Sequence, residues 1–339
     1  MATVTHSPVL VTPGDPAGIG GEIALRAKST GCNNFCLIEN VARMTALARK
    51  MDLDVQVQKI LHPAEFCHNS DALQILDITW PVTPVAGRPD FGNAQSVITA
   101  IETGARWAQN GTIAALVTNP IAKATLYDAG FDYPGHTEFL GSMAPACTGG
   151  PAMMLISDML RVVPVTVHIP LLAVANSLTT ELIVNKGRLV AHALRKHFNI
   201  FSPRLAVCGL NPHAGEMGRM GSEDAAIITP AINQLCAQGI DAKGPYSADT
   251  LFHEDARKTY DVVLGMYHDQ VLIPLKTLDF FGGVNITLGL DFIRTSPDHG
   301  TGFDIAEKGV ARPDSLIAAI KTAHAMAGHL SSNDDGTAK

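Results

Sequence analysis

The sequence predicts an α/β protein built on a largely parallel sheet that is covered on both faces. Three observations carry this. Short, nearly continuous apolar runs recur along the chain, amphipathic helices separate them, and several runs stop abruptly in Gly, Pro, His or Asn. Strands buried on both faces read as unbroken apolar stretches rather than alternating ones, which is the signature of parallel sheets.

The candidate strands are Val9–Thr12, Phe35–Glu39, Ala114–Thr118, Arg161–Val167, Arg204–Cys208, Asp261–Met266 and Val284–Leu288. Between them, Ser96–Gln109 carries Val97, Ile98, Ile101, Ala105 and Ala108 on one helical face. Asn185–Phe198 does the same with Leu189, Val190, Ala193 and Leu194. A further helix opens at Ser222, with Glu223 and Asp224 in its first turn, and Gly239 closes it. Asp314, after Pro313, opens the last helix, along Leu316, Ile317 and Ile320. No internal repeat or low-complexity linker interrupts the pattern, and residues 331–339, short and polar, are expected to form a disordered tail.

At 339 residues, with 46% hydrophobic and 17% charged, the chain has material for two domains. A net charge of −7 argues against a nucleic-acid or anionic-membrane surface, while a few clustered cations can still take a small anion. No stretch reaches the roughly 18–20 apolar residues of a spanning helix. Residues 1–6 lack the basic-then-apolar pattern of an export signal, so a cytoplasmic protein is expected. The six cysteines form no CxxC pair, and reduced, mostly buried thiols are expected.

In parallel α/β sheets ligands bind beyond the carboxyl ends of the strands. Polar residues gather there at Thr12–Asp15, Thr118–Pro120, His168–Pro170, Asn211–His213 and Tyr267–Gln270. Of thirteen histidines, His168, His213 and His268 share this setting, 45 and 55 residues apart, about one strand–helix–strand unit each. Three imidazoles on one sheet edge could hold a divalent cation and leave a position for substrate. Spacing this long leaves the alternative of hydrogen-bonded structural histidines open. Gly135-His136-Thr137-Glu138 at a loop-to-helix junction suits an anion, or is a simple helix cap. Lys276, Asn285 and Arg294, nine residues apart, offer a point charge, a neutral donor and a planar fork for phosphate, or else are exposed salt-bridging residues.

Ordered motifs then resemble the 4-hydroxythreonine-4-phosphate dehydrogenase family. They are Thr12-Pro13-Gly14-Asp15-Pro16-Ala17-Gly18-Ile19-Gly20, Gly135–Phe139, Gly209–Glu216, Gly244–Thr250, Met266–Gln270, Gly283–Leu290 and Arg294–Thr301, running in order from about residue 8 to 328. The resemblance implies two α/β/α domains with a cleft between them, similar to isocitrate and isopropylmalate dehydrogenases and not a Rossmann dinucleotide fold. Residues 1–135 with 290–330 would form the first domain, and 136–289 the second, on the metal and dimer side. It implies a homodimer whose subunits share each active site. The implied reaction is NAD(P)-dependent oxidation of 4-phosphohydroxy-L-threonine at C3. Loss of CO2 then gives 3-amino-2-oxopropyl phosphate, for pyridoxine 5′-phosphate (vitamin B6) biosynthesis. By motif match, His168, His213 and His268 would hold one divalent metal (Zn, Co or Mg), and His136, Thr137, Lys276, Asn285 and Arg294 the phosphorylated substrate. Asp249 and Lys123 are the candidates for general base, each better suited to orienting substrate than to carrying the proton. Ser247 is a mild departure at a loop position not expected to do chemistry.

His299-Gly300-Thr301-Gly302-Phe303-Asp304-Ile305-Ala306 resembles the adenosine-binding loop of isopropylmalate dehydrogenases, so His299, Gly300, Thr301 and Asp304 would bind the cofactor. A carboxylate at Asp304 would repel the 2′-phosphate of NADP and favour NAD; the competing reading is a cap for a following helix. Gly14, Gly18 and Gly20 lack the GxGxxG spacing. The nearest alternative activity is a paralogous 4-phospho-D-threonate or 4-phospho-D-erythronate dehydrogenase. A metal-dependent lyase or hydrolase, and a phosphometabolite-binding protein without catalysis, are the alternatives from other classes.

Overall fold

Runs such as Val9-Leu10-Val11 and Ala115-Leu116-Val117 have no polar face, so they can only sit in the middle of a sheet covered on both sides. They do so in the computed structural model, which describes residues 7–68, 70–127, 129–133, 135–144 and 150–334, with side chains to 330. The described strands are β1 (Val9–Thr12), β2 (Phe35–Glu39), β3 (Val57–Ile60), β4 (Leu73–Asp77), β5 (Ala115–Thr118), β6 (Ala152–Ile156), β7 (Arg161–Pro164), β8 (Arg204–Cys208), β9 (Asp241–Tyr246), β10 (Val262–Gly265), β11 (Val284–Leu288) and β12 (Arg294–Pro297).

The chain forms two units, Met1–Ala144 with Asp291–Ala327, and Pro145–Leu290 with Gly328–Lys339. Residues 136–144 therefore cluster with the first unit, whereas the sequence reading divided the chain at 135/136. The aromatic packing explains it: Phe139 lies 4.8 Å from Phe131 and 5.2 Å from Tyr133, ring centre to ring centre.

In the first unit the order is β3-β4-β2-β1-β5-β12, with all neighbours parallel. Every residue of β1, β2, β5 and β12 is buried. This order is not that of the dinucleotide-binding α/β fold. In the second unit the order is β11-β6-β7-β10-β8-β9; only β6 runs against its neighbours. The expected class, two α/β units without the Rossmann arrangement, is what the chain forms.

The helix Ala94–Gln109 buries Val97, Ile98, Ile101 and Ala105 as expected. Gly104 lets it approach the sheet, since a Cβ there would stand 2.5 Å from Leu116 Cδ1. Three helices differ from expectation. The one expected over Asn185–Phe198 begins earlier, at Thr180, with Thr179 as its cap. The one expected from Ser222 opens as a π-helical turn, Asp224–Ile228, before the α-helix Thr229–Ala237. The last helix runs Asp314–Asp334 and so enters the segment expected to be disordered, with neither Gly nor Pro between Gly328 and Gly336 to stop it. Residues 335–339 lie outside the described residues. Cys32, Cys36, Cys67, Cys208 and Cys236 are free thiols, and Cys147 lies outside the described residues. No helix among the described residues is long and apolar enough to cross a membrane.

Two outcomes follow from this packing. Leu116 is wholly buried between β1 and β12, so Leu116→Ala should lower stability by about 2–5 kcal/mol in denaturant unfolding. His197, at the end of the helix Thr180–Phe198, is pushed down to about 4, chiefly by burial and then by Lys196, His192 and His329. The folded chain keeps it neutral where the unfolded chain, titrating near 6.5, has already taken up a proton. Its contribution to stability is therefore complete above about pH 6.5 and lost as pH falls toward 4. His197→Gln should flatten the stability–pH profile within that window.

Candidate functional site

In the first unit the residues at the carboxyl ends of β1 and β5 are adjacent, with Thr12 opposite Thr118. Asn119 Nδ2 donates to Thr12 O at 3.1 Å, and Asp15 N donates to Pro120 O at 2.9 Å. Gly14, with φ +71, is required where these loops meet, because a Cβ there would lie 2.6 Å from Pro120 O. Arg294 opens β12 opposite Leu116 and is 3% exposed. Its Nε and Nη2 donate to Thr118 Oγ1 at 3.1 and 2.6 Å. Burial pushes the guanidinium down to about 9, with Glu138 opposing, so it is still charged at neutral pH.

His136 opens the helix His136–Met143, with Thr137 second in it. Its Nε2 is enclosed and has no hydrogen-bond partner. Burial, then Arg294, then Lys123, holds this imidazole well below its usual titration range, so it is neutral beside two cations. Lys123 is exposed at the start of the helix Lys123–Tyr127. Thr12 Oγ1 and Asn119 Oδ1 are likewise enclosed without partners. An unsatisfied buried polar atom costs about 1–3 kcal/mol. Such atoms grouped near a buried guanidinium describe a site shaped for a polar, anionic ligand.

The loop resembling an adenosine-binding segment is held from several sides. Thr301 O accepts Ile19 N at 3.0 Å, and Glu22 Oε1 accepts Ala311 N at 3.0 Å. Glu307, at φ +55, pairs with Lys50 at 2.6 Å and with Arg43 at 3.8 Å. Between these anchors Asp304 is exposed. Residues 303–309 form turns, so no helix follows for Asp304 to cap. The competing reading of that residue falls away.

In the second unit the parallel strands β7, β10 and β8 send their carboxyl ends toward the histidines. His168 lies four residues past β7, and His268 opens the helix His268–Leu278 after β10. Their rings stand 5.8 Å apart. His268 Nδ1 is 2.7 Å from Asp269 Oδ1, a partner that leaves Nε2 to face a cation. His213 is exposed, in a turn where His213, Ala214, Gly215, Glu216 and Met217 all have positive φ. Left-handed backbone costs an L residue roughly 1–2 kcal/mol, so this turn needs support from its surroundings. The donor chemistry fits a divalent cation, yet among the described residues no three His, Cys, Asp or Glu groups come together to hold one. A single copy brings His168 and His268 together and does not assemble all three.

The remaining candidates are dispersed through this unit. Asp249 is exposed; a hydrogen bond from Ser247 Oγ, above all, and the nearby His213 hold its carboxyl below the usual range. That shift moves it away from the near-neutral value suited to a general base. Ser247, expected to be uninvolved, thus touches a site candidate. Lys276 Nζ sits 5.6 Å from the centre of the Phe280 ring. Asn285, in β11 opposite Leu155, has an enclosed Oδ1 without a partner. Arg294 belongs to the first unit and Lys276 and Asn285 to the second, so the nine-residue spacing is no local motif. Asp224, read from sequence as part of a helix start, is buried and accepts N–H groups from Leu210 and Asn211.

Residues 32–323 match the family described as Pyridoxal phosphate biosynthetic protein PdxA. The 4-hydroxythreonine-4-phosphate dehydrogenase of Caulobacter vibrioides is 51% identical over 332 residues, 96% of this chain and 98% of that protein. The crystal structure of 4-hydroxythreonine-4-phosphate dehydrogenase from Klebsiella pneumoniae superposes with a TM-score of 0.86 at 34% identity, over 96% of this chain and 99% of that one. A terephthalate 1,2-cis-dihydrodiol dehydrogenase from Burkholderia xenovorans is 25% identical with a TM-score of 0.65, over 94% and 98% of the two chains. Matched along nearly its whole length in sequence and in fold, the chain belongs to the PdxA family and is an oxidoreductase.

Proposed function

We propose that the chain oxidises the C3 hydroxyl of 4-phosphohydroxy-L-threonine with NAD+, in pyridoxine 5′-phosphate biosynthesis in the cytoplasm. The observation that carries the substrate class is the buried Arg294 guanidinium beside the enclosed, unpartnered Nε2 of His136. A phosphate placed there gains a charged fork, a neutral imidazole donor and the Thr137 hydroxyl. Lys276 and Asn285 are the further substrate-binding groups of this reading, and Lys123 adds positive field at His136. Gripping the remote phosphate fixes the position of C3, which is rate acceleration by orientation.

His168, His213 and His268 are the proposed ligands of one divalent metal, Zn, Co or Mg. The set is completed across a homodimer. Leu172, close to His168, is 92% exposed, and Met217, close to His213, is 101% exposed, which supports a second copy covering this surface. When bound, the cation would polarise the oxygen under oxidation, and NAD+ would accept the hydride. Asp304, with His299, Gly300 and Thr301, is the proposed cofactor contact, and its carboxylate is the reason NAD is preferred to NADP. Asp249 and Lys123 orient substrate in this reading, since the lowered pKa of Asp249 makes it a weak base.

The test is a panel of 4-phosphohydroxy-L-threonine, 4-phospho-D-threonate and 4-phospho-D-erythronate, each with NAD+ and a divalent metal, followed by NADH absorbance. The first should turn over fastest. Faster turnover of either sugar acid would assign the chain to the paralogous activity, and no NADH from any would favour a non-redox role. Arg294→Ala should raise KM for the phosphorylated substrate roughly ten- to hundredfold, about 1.5–3 kcal/mol for a lost charged hydrogen bond. An unchanged KM removes Arg294 from the phosphate site.

A further inference from the structure

We infer that Asp224 is a positioning residue that holds His213 in the orientation its ligand role requires; the inference rests on the proposed reading of His213 as a metal ligand. Asp224 is 2% exposed and is the first residue of the π-helical turn Asp224–Ile228. A carboxylate that merely favoured its own helix start would face the N–H groups of that helix. This one reaches back instead. Its Oδ1 accepts Leu210 N at 2.8 Å, and its Oδ2 accepts Asn211 N at 3.2 Å and Asn211 Nδ2 at 2.9 Å. All three donors lie in the two residues before Pro212-His213.

The carboxylate also fills the space inside the turn. A Cβ at Gly209 would lie 2.6 Å from Asp224 Oδ1, and one at Gly215, with φ +79, would lie 3.2 Å from Oδ2. Glycine at both places makes room for this side chain and for little more. What it supports is a run of six positive-φ residues, His213 to Gly218, four of them not glycine. L residues do not hold that conformation unaided. The turn's backbone bonds include Ala214 N donating to Asn211 O at 3.0 Å, Arg219 N to Glu216 O at 3.2 Å and Met220 N to Gly215 O at 3.1 Å, all of them local. The buried carboxylate ties the near end to the π-helical turn, a feature frequent at functional sites. A ligand imidazole fixed in this way binds metal without first ordering its backbone.

The test uses the full-length protein freed of metal and titrated with Co2+ alone, read by competition with a chelating indicator and by the visible absorption of bound Co2+. Asp224→Asn keeps the volume but turns an NH2 group toward donors, and should weaken Co2+ binding about 10- to 100-fold. It should also speed hydrogen exchange across residues 209–220 in the metal-free protein. Asn211→Ala removes one donor to this carboxylate, together with the bond from the same amide to Glu223 Oε2, and leaves Asp224 in place. It should weaken Co2+ binding by a smaller factor, and it serves alone if Asp224→Asn does not fold. His213→Ala is the parallel arm and should abolish tight binding. If His213→Ala binds Co2+ like the unaltered protein, the metal reading fails and the inference with it. If His213→Ala loses the ion while the folded Asp224 and Asn211 variants retain full affinity and an unchanged Co2+ spectrum, the inference alone is overturned.

Discussion

Parallel pairing of strands buried on both faces is the constraint from which the site features of each unit follow. Val9, Leu10 and Val11, opposite Ala115, Leu116 and Val117, leave no polar group along the sheet itself. Along these strands polar groups stand where the strands end, and parallel neighbours end on the same side. Thr12, Thr118 and Asn119 thus become neighbours in the first unit. His168 and His268 become neighbours in the second, past strands that pair in parallel. The fold confers a common edge, and the residue types on that edge confer the function.

A second constraint is that charge brought to such an edge must be used. Arg294 is nearly inaccessible, and a guanidinium in that position is costly unless its N–H groups are met. Thr118 Oγ1 accepts two of them, and the enclosed atoms of His136, Thr12 and Asn119 in the same unit have no partner. Asp224 is the opposite case: a buried carboxylate whose donors all come from the protein, so its charge goes into holding a turn rather than into binding. Glu39 is similar, engaged by Arg43 at 2.7 Å and by Trp80. The difference between satisfied and unsatisfied buried groups separates framework from site more sharply than residue type does.

Several elements were hidden from a reading of the chain. β3, with exposed Gln58 and Lys59, and β9, with Gly244 and Pro245, carry the polar and proline content that edge strands tolerate and that resembles loop sequence. β6 is Met-rich and lacks β-branched residues until Ile156. β12 reads Arg-Thr-Ser-Pro, with no apolar run to mark it, and pairs in parallel with β5. The strand-end residues were legible because abrupt stops in Gly, Pro, His and Asn mark where a buried strand must surface. Asp224 was not, since an acid at a helix start has an adequate local explanation and its real partners lie thirteen and fourteen residues earlier.

By itself the amino-acid sequence determined the α/β class, the core strands β1, β2, β8 and β11 to the residue, and the family, because these depend on local hydrophobic pattern and on motifs continuous in the chain. Tertiary structure alone decided that His136 sits with Arg294 and that residues 136–144 cluster with the first unit. It also decided that His168 meets His268 and that a carboxylate supports the left-handed turn of His213. Each of these is a contact between segments far apart along the chain, set by strand order and packing, and no local pattern encodes strand order.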